Sequence, residues 1–481
     1  MTKSIAAPDK TLSFAIQDRA FPEHPHFPQL KTVCHPGLML DVFRKYLEPS
    51  LETPWHFEEC VPIRFRWRSD SAHCVLQYEL RPNANGNGRL PHLWVTVTCY
   101  PELQDAEHAW TSQTNAGAAR PTSENLLPVK PLNLIPELRM LAQVFPYDRL
   151  LPHLSAIASG PWPELQVKLL TSFGPGRWQV ERQTVEPLRY LAEDSAVFRY
   201  TLQLRNAENA QTETKRFYAK AYRTRYGEQI GQMLQQIQMN KGSAREGFNV
   251  VAPLFYCPER RCLVLAEAPG HSLQDLLFNR NEEDSLKLVR RVARALAAFN
   301  RIDLKPTVSH SAEQQTDFLV KAADLLRWAC PTSASAIEHI VQKVRAGLRD
   351  VPHVPIHWDL KADHIFLDDE CVTFVDLDTL SLGDPARDPA HLAAHIACGI
   401  DVPDLPAERA RALAMALVEE YFLHVPANWR SQLELQFGLA ALEAACGLFK
   451  RQELRWAERA TLALEQAFAF PSFSLPTSGS E

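Results

Sequence analysis

Apolar residues in the first half of the chain alternate with polar ones in short runs, whereas in the second half they recur at helical spacing. Period-two alternation predicts half-buried strands, and spacings of three and four predict amphipathic helices. After a proline-punctuated, partly helical stretch that includes Leu38 to Leu47, strands are expected over Ile63 to Trp67, Cys74 to Leu80 and Leu93 to Tyr100. A second set follows over Leu188 to Leu191, Val197 to Leu204 and Arg216 to Tyr222. Asn83 to Gly88, NANGNG, is a hairpin signal. From Glu282 the pattern turns helical. Leu286, Val289, Ala293, Leu296 and Phe299 share one face, and Glu282, Glu283 and Asp284 suit the positive end of the helix dipole. Further helices are predicted over Thr316 to Trp328, Ser335 to Leu348 and Pro389 to Cys398. Then come one capped by Asp404, one carrying Leu433, Phe437, Ala441, Ala444 and Leu448, and a last one ending near Phe470.

The two strand sets belong to an internal repeat. Phe21-Pro22 and Phe145-Pro146 match at an offset of 124 residues, as do Asp70-Ser71-Ala72 with Asp194-Ser195-Ala196 and Leu80-Arg81 with Leu204-Arg205. Pro62-Ile63-Arg64-Phe65 matches Pro187-Leu188-Arg189-Tyr190 at an offset of 125. So long a period points to a duplicated domain or half-domain, since solenoid repeats are shorter. Between the copies, Thr111 to Glu124 is rich in small and polar residues and reads as a linker.

Composition excludes several classes. The apolar share of 46% is that of a globular protein, and a formal net charge of −6 offers nothing to a nucleic acid. No apolar run is long enough to span a membrane, and the first ten residues, MTKSIAAPDK, lack the apolar core of a signal peptide. The ten cysteines contain no CxxC pair, which argues against zinc and for reduced thiols in a cytoplasmic protein. His391 and His395 stand at i and i+4, a metal-binding spacing, but no third ligand accompanies them.

The richest chemistry lies in Ile356 to Asp388, IHWDLKADHIFLDDECVTFVDLDTLSLGDPARD. Ile365 to Leu367 and Val372 to Val375 read as two strands around the polar turn Asp368-Asp369-Glu370. That hairpin is expected to bring Asp376 beside the segment carrying Asp359. Two such carboxylates can divide phosphoryl transfer, one orienting the attacking hydroxyl and the other holding magnesium.

These motifs, HxDLxxxxIxL followed by VDLDxxxxGDPxxD, resemble the aminoglycoside phosphotransferase and choline kinase family, whose fold is protein-kinase-like. The resemblance implies an α+β bilobal fold, an antiparallel-sheet N-lobe and a mainly helical C-lobe, and the repeat sets a degenerate copy of the N-lobe before it. The expected divisions are 15–110 for that copy, 111–140 for a linker, 141–268 for the nucleotide-binding N-lobe, 269–470 for the C-lobe and 471–481 for a disordered tail. The implied activity is ATP-dependent transfer of the γ-phosphoryl group to a hydroxyl of a sugar, amino sugar, aminoglycoside or amino alcohol. A pseudokinase or nucleotide-binding interaction protein is the alternative, and the N-terminal copy is a candidate homodimer surface.

By resemblance, Asp359 is the catalytic aspartate, His357 braces its loop, and Asp376 holds Mg2+. Lys220, on the strand Phe217 to Tyr222, holds the nucleotide phosphates, steadied by Glu228, with Glu246 a weaker rival. Thr98 is expected at the place of Lys220 in the first copy. Ser195 occupies the place of the phosphate-covering loop, and backbone groups of Glu267 and Ala268 the adenine-contacting hinge. Three residues depart from the usual H-G-D-x-H-x-x-N: Trp358 replaces glycine, Lys361 replaces histidine, and His364 replaces the metal-binding asparagine. An imidazole is a poor magnesium ligand, so Mn2+ becomes the alternative metal.

Overall fold

The computed structural model describes residues 21–49, 57–68, 73–82, 93–115, 129–171, 177–240 and 247–468. The expected hairpin turn at 83–88, Glu246 and the tail at 471–481 lie outside them.

The chain opens with helices α1 (Leu30–Val33) and α2 (Pro36–Tyr46). Strands β1 (Phe57–Arg68), β2 (His73–Pro82) and β3 (Leu93–Cys99) lead to helix α3 (Leu103–Asn115), and β4 (Leu132–Ile135) and β5 (Met140–Val144) complete a five-stranded sheet of order β1-β2-β3-β5-β4. The same plan then recurs: α4 (Leu154–Ala158), α5 (Pro163–Thr171), β6 (Trp178–Leu191), β7 (Ser195–Asn206), β8 (Thr212–Tyr222) and α6 (Tyr226–Asn240). β9 (Phe248–Val250) intervenes before β10 (Pro253–Cys257) and β11 (Cys262–Ala266), and the second sheet has the order β10-β11-β8-β7-β6. Even the irregularities repeat. The β1–β2 ladder shifts register between Pro62 and Arg64, and the β6–β7 ladder between Pro187 and Arg189.

Each sheet is anchored by a tyrosine of its second strand. The Tyr78 hydroxyl donates to the carbonyl of Val33 at 2.5 Å, and that of Tyr200 to the carbonyl of Ile157 at 2.8 Å. Alternate residues of β7, from Ala196 to Leu204, are buried against α4 and α5, as period-two patterning requires. The sheets meet where Trp94 stacks on Tyr190 and Gln77 donates to the Tyr190 carbonyl at 3.2 Å. Asp148 closes this seam by accepting from the Tyr190 hydroxyl and the Glu193 amide, both at 2.7 Å.

The expected linker is shorter than 111–140. Thr111 to Asn115 extend α3, β4 starts at Leu132, and β5, five buried residues, straddles the boundary drawn at 141. An apolar strand of that length must be sheathed, and β3 provides the neighbour.

The rest of the chain is helical around two short sheets. β12 (His271–Ser272) precedes α7 (Leu273–Asn279), α8 (Glu282–Asn300), α9 (Ala312–Ala329) and α10 (Ala334–Gly347). β13 (Val354–Ile356), β14 (Ile365–Leu367), β15 (Val372–Phe374) and β16 (Ser381–Gly383) carry the acidic motifs. α11 (Arg387–Ala397), α12 (Ala407–Phe422), α13 (Leu433–Lys450) and α14 (Trp456–Gln466) follow. α12 begins after Pro406 with no side-chain cap, so Asp404 does not play the expected role; a proline there already fixes the backbone. β9 pairs in parallel with β15, which ties the second sheet's segment into the helical lobe. The N-terminal module docks on the same lobe through an aromatic cluster in which Phe65 packs on Phe449 at 5.2 Å and on Trp328 at 5.9 Å. The fold is α+β, with antiparallel sheets first and helices after.

Candidate active site

Backbone geometry explains why the motif residues converge. β14 and β15 form the expected hairpin, and β13 pairs with β16 beside it. Asp376 follows β15 in the left-handed conformation, φ 58°, which turns the chain sharply into the short helix Leu377–Thr379. Trp358, in the glycine position of the resembling motif, also has positive φ, 75°. A tryptophan is strained there. Its ring packs at a tilt on His310, centroids 4.0 Å apart, and lies over the Arg387 guanidinium at 4.5 Å, contacts that offset the strain. Asp388, fully buried, accepts from the backbone amides of His357 at 2.7 Å and Trp358 at 2.9 Å and from Asn300 Nδ2 at 3.0 Å. It is a positioning residue for the loop that presents Asp359.

His357 and His364 join the two acidic segments. His357 Nε2 lies 2.9 Å from the carbonyl of Val375, one residue before Asp376. His364 Nδ1 lies 2.9 Å from the carbonyl of Asp359. A carbonyl can only accept, so both of these ring nitrogens carry protons. His364 Nε2 then presents its lone pair 3.6 Å from Asp376 Oδ2. Burial holds the His364 imidazole below its ordinary value, although Asp363 and Asp376 oppose the effect, and the ring is neutral near pH 7.

Lys220 crosses from β8 to this cluster. Its ammonium is 2.5 Å from Asp376 Oδ1 and 2.7 Å from Asp378 Oδ2. Arg189 adds a contact to Asp376 Oδ2 at 3.1 Å, and the Tyr222 hydroxyl donates to Asp378 at 3.1 Å. Burial alone would raise the Asp376 carboxyl, but Lys220, His364 and Arg189 outweigh it and hold the group below the carboxylate range. Asp378 moves the other way, raised by burial and by the like charge of Asp376. Asp359 is part-exposed, 2.7 Å from Lys361 and 3.9 Å from His391. Burial would raise it too, and Lys361, His391 and His364 reverse the direction.

The other expected residues lie outside this cluster. Glu228 is not among the partners of Lys220. Ile230, Leu234 and Ile237 define the buried face of α6, and Glu228 lies off that face. Asp378 takes the second place beside the lysine. The Ser195 hydroxyl donates to Asp194 at 3.2 Å in the β6–β7 turn. Glu267 pairs with Arg216 at 3.3 Å. The β8–β11 ladder ends at Ala266, so Glu267 and Ala268 start the passage between lobes. That passage turns at Gly270, φ 83°, where a Cβ would lie 2.0 Å from the Leu367 carbonyl oxygen. His391 donates from Nδ1 to the Leu360 carbonyl at 2.8 Å, and His395 pairs with Asp401, whose other oxygen takes the Ala362 amide. Both histidines thus brace the loop. Asp378, expected to face the metal or the acceptor, and Asp388 both stand within VDLDxxxxGDPxxD, whereas Arg189 and Tyr222 are site residues that the motif pattern did not assign. Arg189 did stand out as part of the repeated Pro-x-Arg.

The profile of the phosphotransferase enzyme family, APH, matches residues 182–429, more than half of the chain. The chain belongs to that family. A search of curated proteins finds no match. Similar solved structures include the ADP-bound aminoglycoside phosphotransferase APH(2'')-Ib, 14% identical over 64% of this chain and 99% of that one, TM-score 0.39. A choline kinase from Cryptosporidium parvum Iowa II is 10% identical over 60% and 88% of the two chains, TM-score 0.41. A choline/ethanolamine kinase family protein from Mesorhizobium loti is 12% identical over 66% and 95%, TM-score 0.39. The family match begins within β6 and leaves the N-terminal module outside. Among the described residues, no helix is long and apolar enough to cross a membrane.

Proposed function

We propose that the chain transfers the γ-phosphoryl group of ATP to a hydroxyl of a small molecule. The observation that carries the reading is the convergence of Asp359, Asp376 and Lys220 from three separate segments, joined through His364. Asp359 orients the acceptor hydroxyl. The hydroxyl oxygen bonds to the γ-phosphorus, the bond from that phosphorus to the β–γ bridging oxygen breaks, and the proton passes to Asp359. Lys220 turns from the two aspartates to the phosphates, and Arg189 stands ready beside it. ATP consumption in the presence of magnesium, screened over hydroxylated small molecules with Asp359→Ala as control, tests the assignment. Consumption that the control matches would overturn it.

The donors suit a divalent cation. A carboxylate oxygen and an unprotonated imidazole nitrogen face each other 3.6 Å apart. Among the described residues no three His, Cys, Asp or Glu side chains gather as a complete metal set, which leaves the other positions to phosphate and water. Asp376 and His364 are the proposed holders, and a bound cation supplies charge neutralisation at the phosphates. Because one donor is nitrogen, manganese should support turnover better than magnesium. His364→Asn should raise magnesium-supported turnover and abolish the manganese preference; a metal preference that the substitution does not change refutes the ligand role.

We read the N-terminal module as a duplicate of the nucleotide lobe that has lost its nucleotide equipment. Lys220 faces Val197 across the ladder, and at an offset of 124 Val197 corresponds to His73. Extending the β2–β3 ladder by one from Cys74 and Cys99 sets His73 opposite Tyr100. Tyr100, and not Thr98, therefore stands at the place of Lys220. That face of the first sheet is covered by Tyr190, which Gln77 and Trp94 contact. Titration with a non-hydrolysable ATP analogue should give one site per chain, weakened by Lys220→Ala and untouched by Tyr100→Phe. Two sites of similar affinity would contradict the assignment.

A further inference from the structure

The reading above leaves the acceptor unnamed and the N-terminal module without a task. One cavity, of about 1120 Å³, bears on both. Asp359 and Asp378 both line it. Its walls come from both the N-terminal module and the helical lobe: Arg64, Arg66 and Trp67 of β1, and Lys450 and Arg451 at the end of the α13 segment. Arg64 is the repeat counterpart of Arg189. In the second module the arginine after the register shift reaches Asp376; in the first it lines this cavity.

The cavity has an excess of positive charge. Among the described residues, seven lysines and arginines line it against four aspartates and glutamates. Each of the four acids already has a cation: Lys361 for Asp359, Lys220 for Asp378, Arg387 for Glu443 and Arg327 for Asp324. Arg64, Lys321 and Lys450 have no carboxylate within ion-pairing distance among the described residues. Arg387, 1% exposed, uses Nη2 on Glu443 and leaves Nε and Nη1 without partners. Crowding shows in the Arg64 guanidinium, which burial and then Arg189, Arg451 and Arg66 push down to about 10. The rings of Trp358 and Phe318, edge to face with centroids 6.0 Å apart, complete the wall near Asp359.

We infer that the phosphoryl acceptor is a hydroxylated molecule that already carries an anionic group, a phosphate or a carboxylate, and that Arg64 of β1 and Lys450 of α13, both lining this cavity, hold that group. The inference rests on Asp359 as the catalytic residue. It makes the N-terminal module the acceptor-recognising wall. Polyammonium acceptors meet an excess of like charge on the described walls of this cavity. Two cations without carboxylate partners match an anion in charge, and the Phe318 ring lining the same cavity suits the apolar face of a sugar.

Equilibrium binding to the full chain tests this with four probes of one skeleton: glucose, glucosamine, glucose 6-phosphate and glucuronate. Binding is measured with and without saturating magnesium-ADP, so that the nucleotide site cannot account for the phosphate. At least one anionic probe should bind about tenfold or more tighter than glucose and glucosamine, with affinity that falls as salt rises. Preference between glucose 6-phosphate and glucuronate tells phosphate from carboxylate. Arg64→Gln with Lys450→Gln should weaken the anion about tenfold or more, whereas Arg64→Lys and Lys450→Arg should stay within about threefold. ADP affinity should be the same in all. Glucosamine binding as tightly as the anions, anion binding that survives the double glutamine variant, or no binding by either anion at millimolar concentration overturns the inference. Failure of wild-type ADP binding would count instead against the phosphotransferase reading, because the cavity is assayed without turnover.

Discussion

Asp359→Asn should lower phosphoryl transfer by about 10²- to 10⁴-fold, the usual contribution of a positioned proton acceptor, while ADP affinity and melting temperature stay close to wild type. The substitution keeps the shape of the side chain and removes its charge. The loop should survive, because its backbone is held elsewhere: Asp388 accepts from the amides of His357 and Trp358, and His364 donates to the Asp359 carbonyl. Lys361 loses its partner but is not deeply buried, so the stability cost is small. Single-turnover rates under saturating nucleotide give the clean reading. A rate within about threefold of wild type would remove Asp359 from the proton-accepting role. Because Lys361, His391 and His364 hold this carboxyl below the ordinary range, an acid limb between about pH 5 and 7 in the wild-type profile has to come from another group.

The acidic site was legible because it is local. One hairpin and its flanking loops carry Asp359, His364 and Asp376, and turn chemistry and strand residues read directly from that span. Lys220 was legible only through chain order. What its ammonium touches depends on how the second sheet sits on the helical lobe, and no local pattern reports that. Glu228 was expected beside it from the resemblance, yet the helical phase set by Ile230, Leu234 and Ile237 turns it elsewhere. Trp358 was visible as a departure, whereas its compensation by His310 and Arg387 joins residues distant in sequence.

The fold divides in the same way. The repeat was plain in matching Pro-x-Arg patches, and the shared register shifts show why those patches persist: a proline cannot donate to the ladder, and the shift accommodates it. β4 and β5 were missed because they follow a long polar stretch and are too short to stand out. Their burial comes from pairing with β3, a contact across more than forty residues of chain. The cavity was out of reach for the same reason, since its walls belong to β1, α9 and α13.

Lys220→Met should reduce turnover by about 10²-fold or more and should also change how stability depends on pH. The ammonium is buried between two carboxylates, so removing it leaves like charges uncompensated, at a cost of about 3–5 kcal/mol near neutral pH. In the wild type Asp376 is depressed in the folded state. Its contribution to stability is therefore present above its unfolded value and lost as pH falls through its folded value. Without Lys220 the largest opposing influence on Asp376 is gone, and burial raises it as it already raises Asp378. The folded variant then binds more protons than the unfolded chain in the range above the ordinary carboxylate value. Acidification there should stabilise the variant relative to wild type, and protonation of His364, which faces the same carboxylate, acts in the same direction. The melting-temperature gap between wild type and variant should accordingly be widest near about pH 7.5 and narrow towards about pH 5.5. A gap that stays constant or widens on acidification would mean that Lys220 does not neutralise the two aspartates in the folded protein.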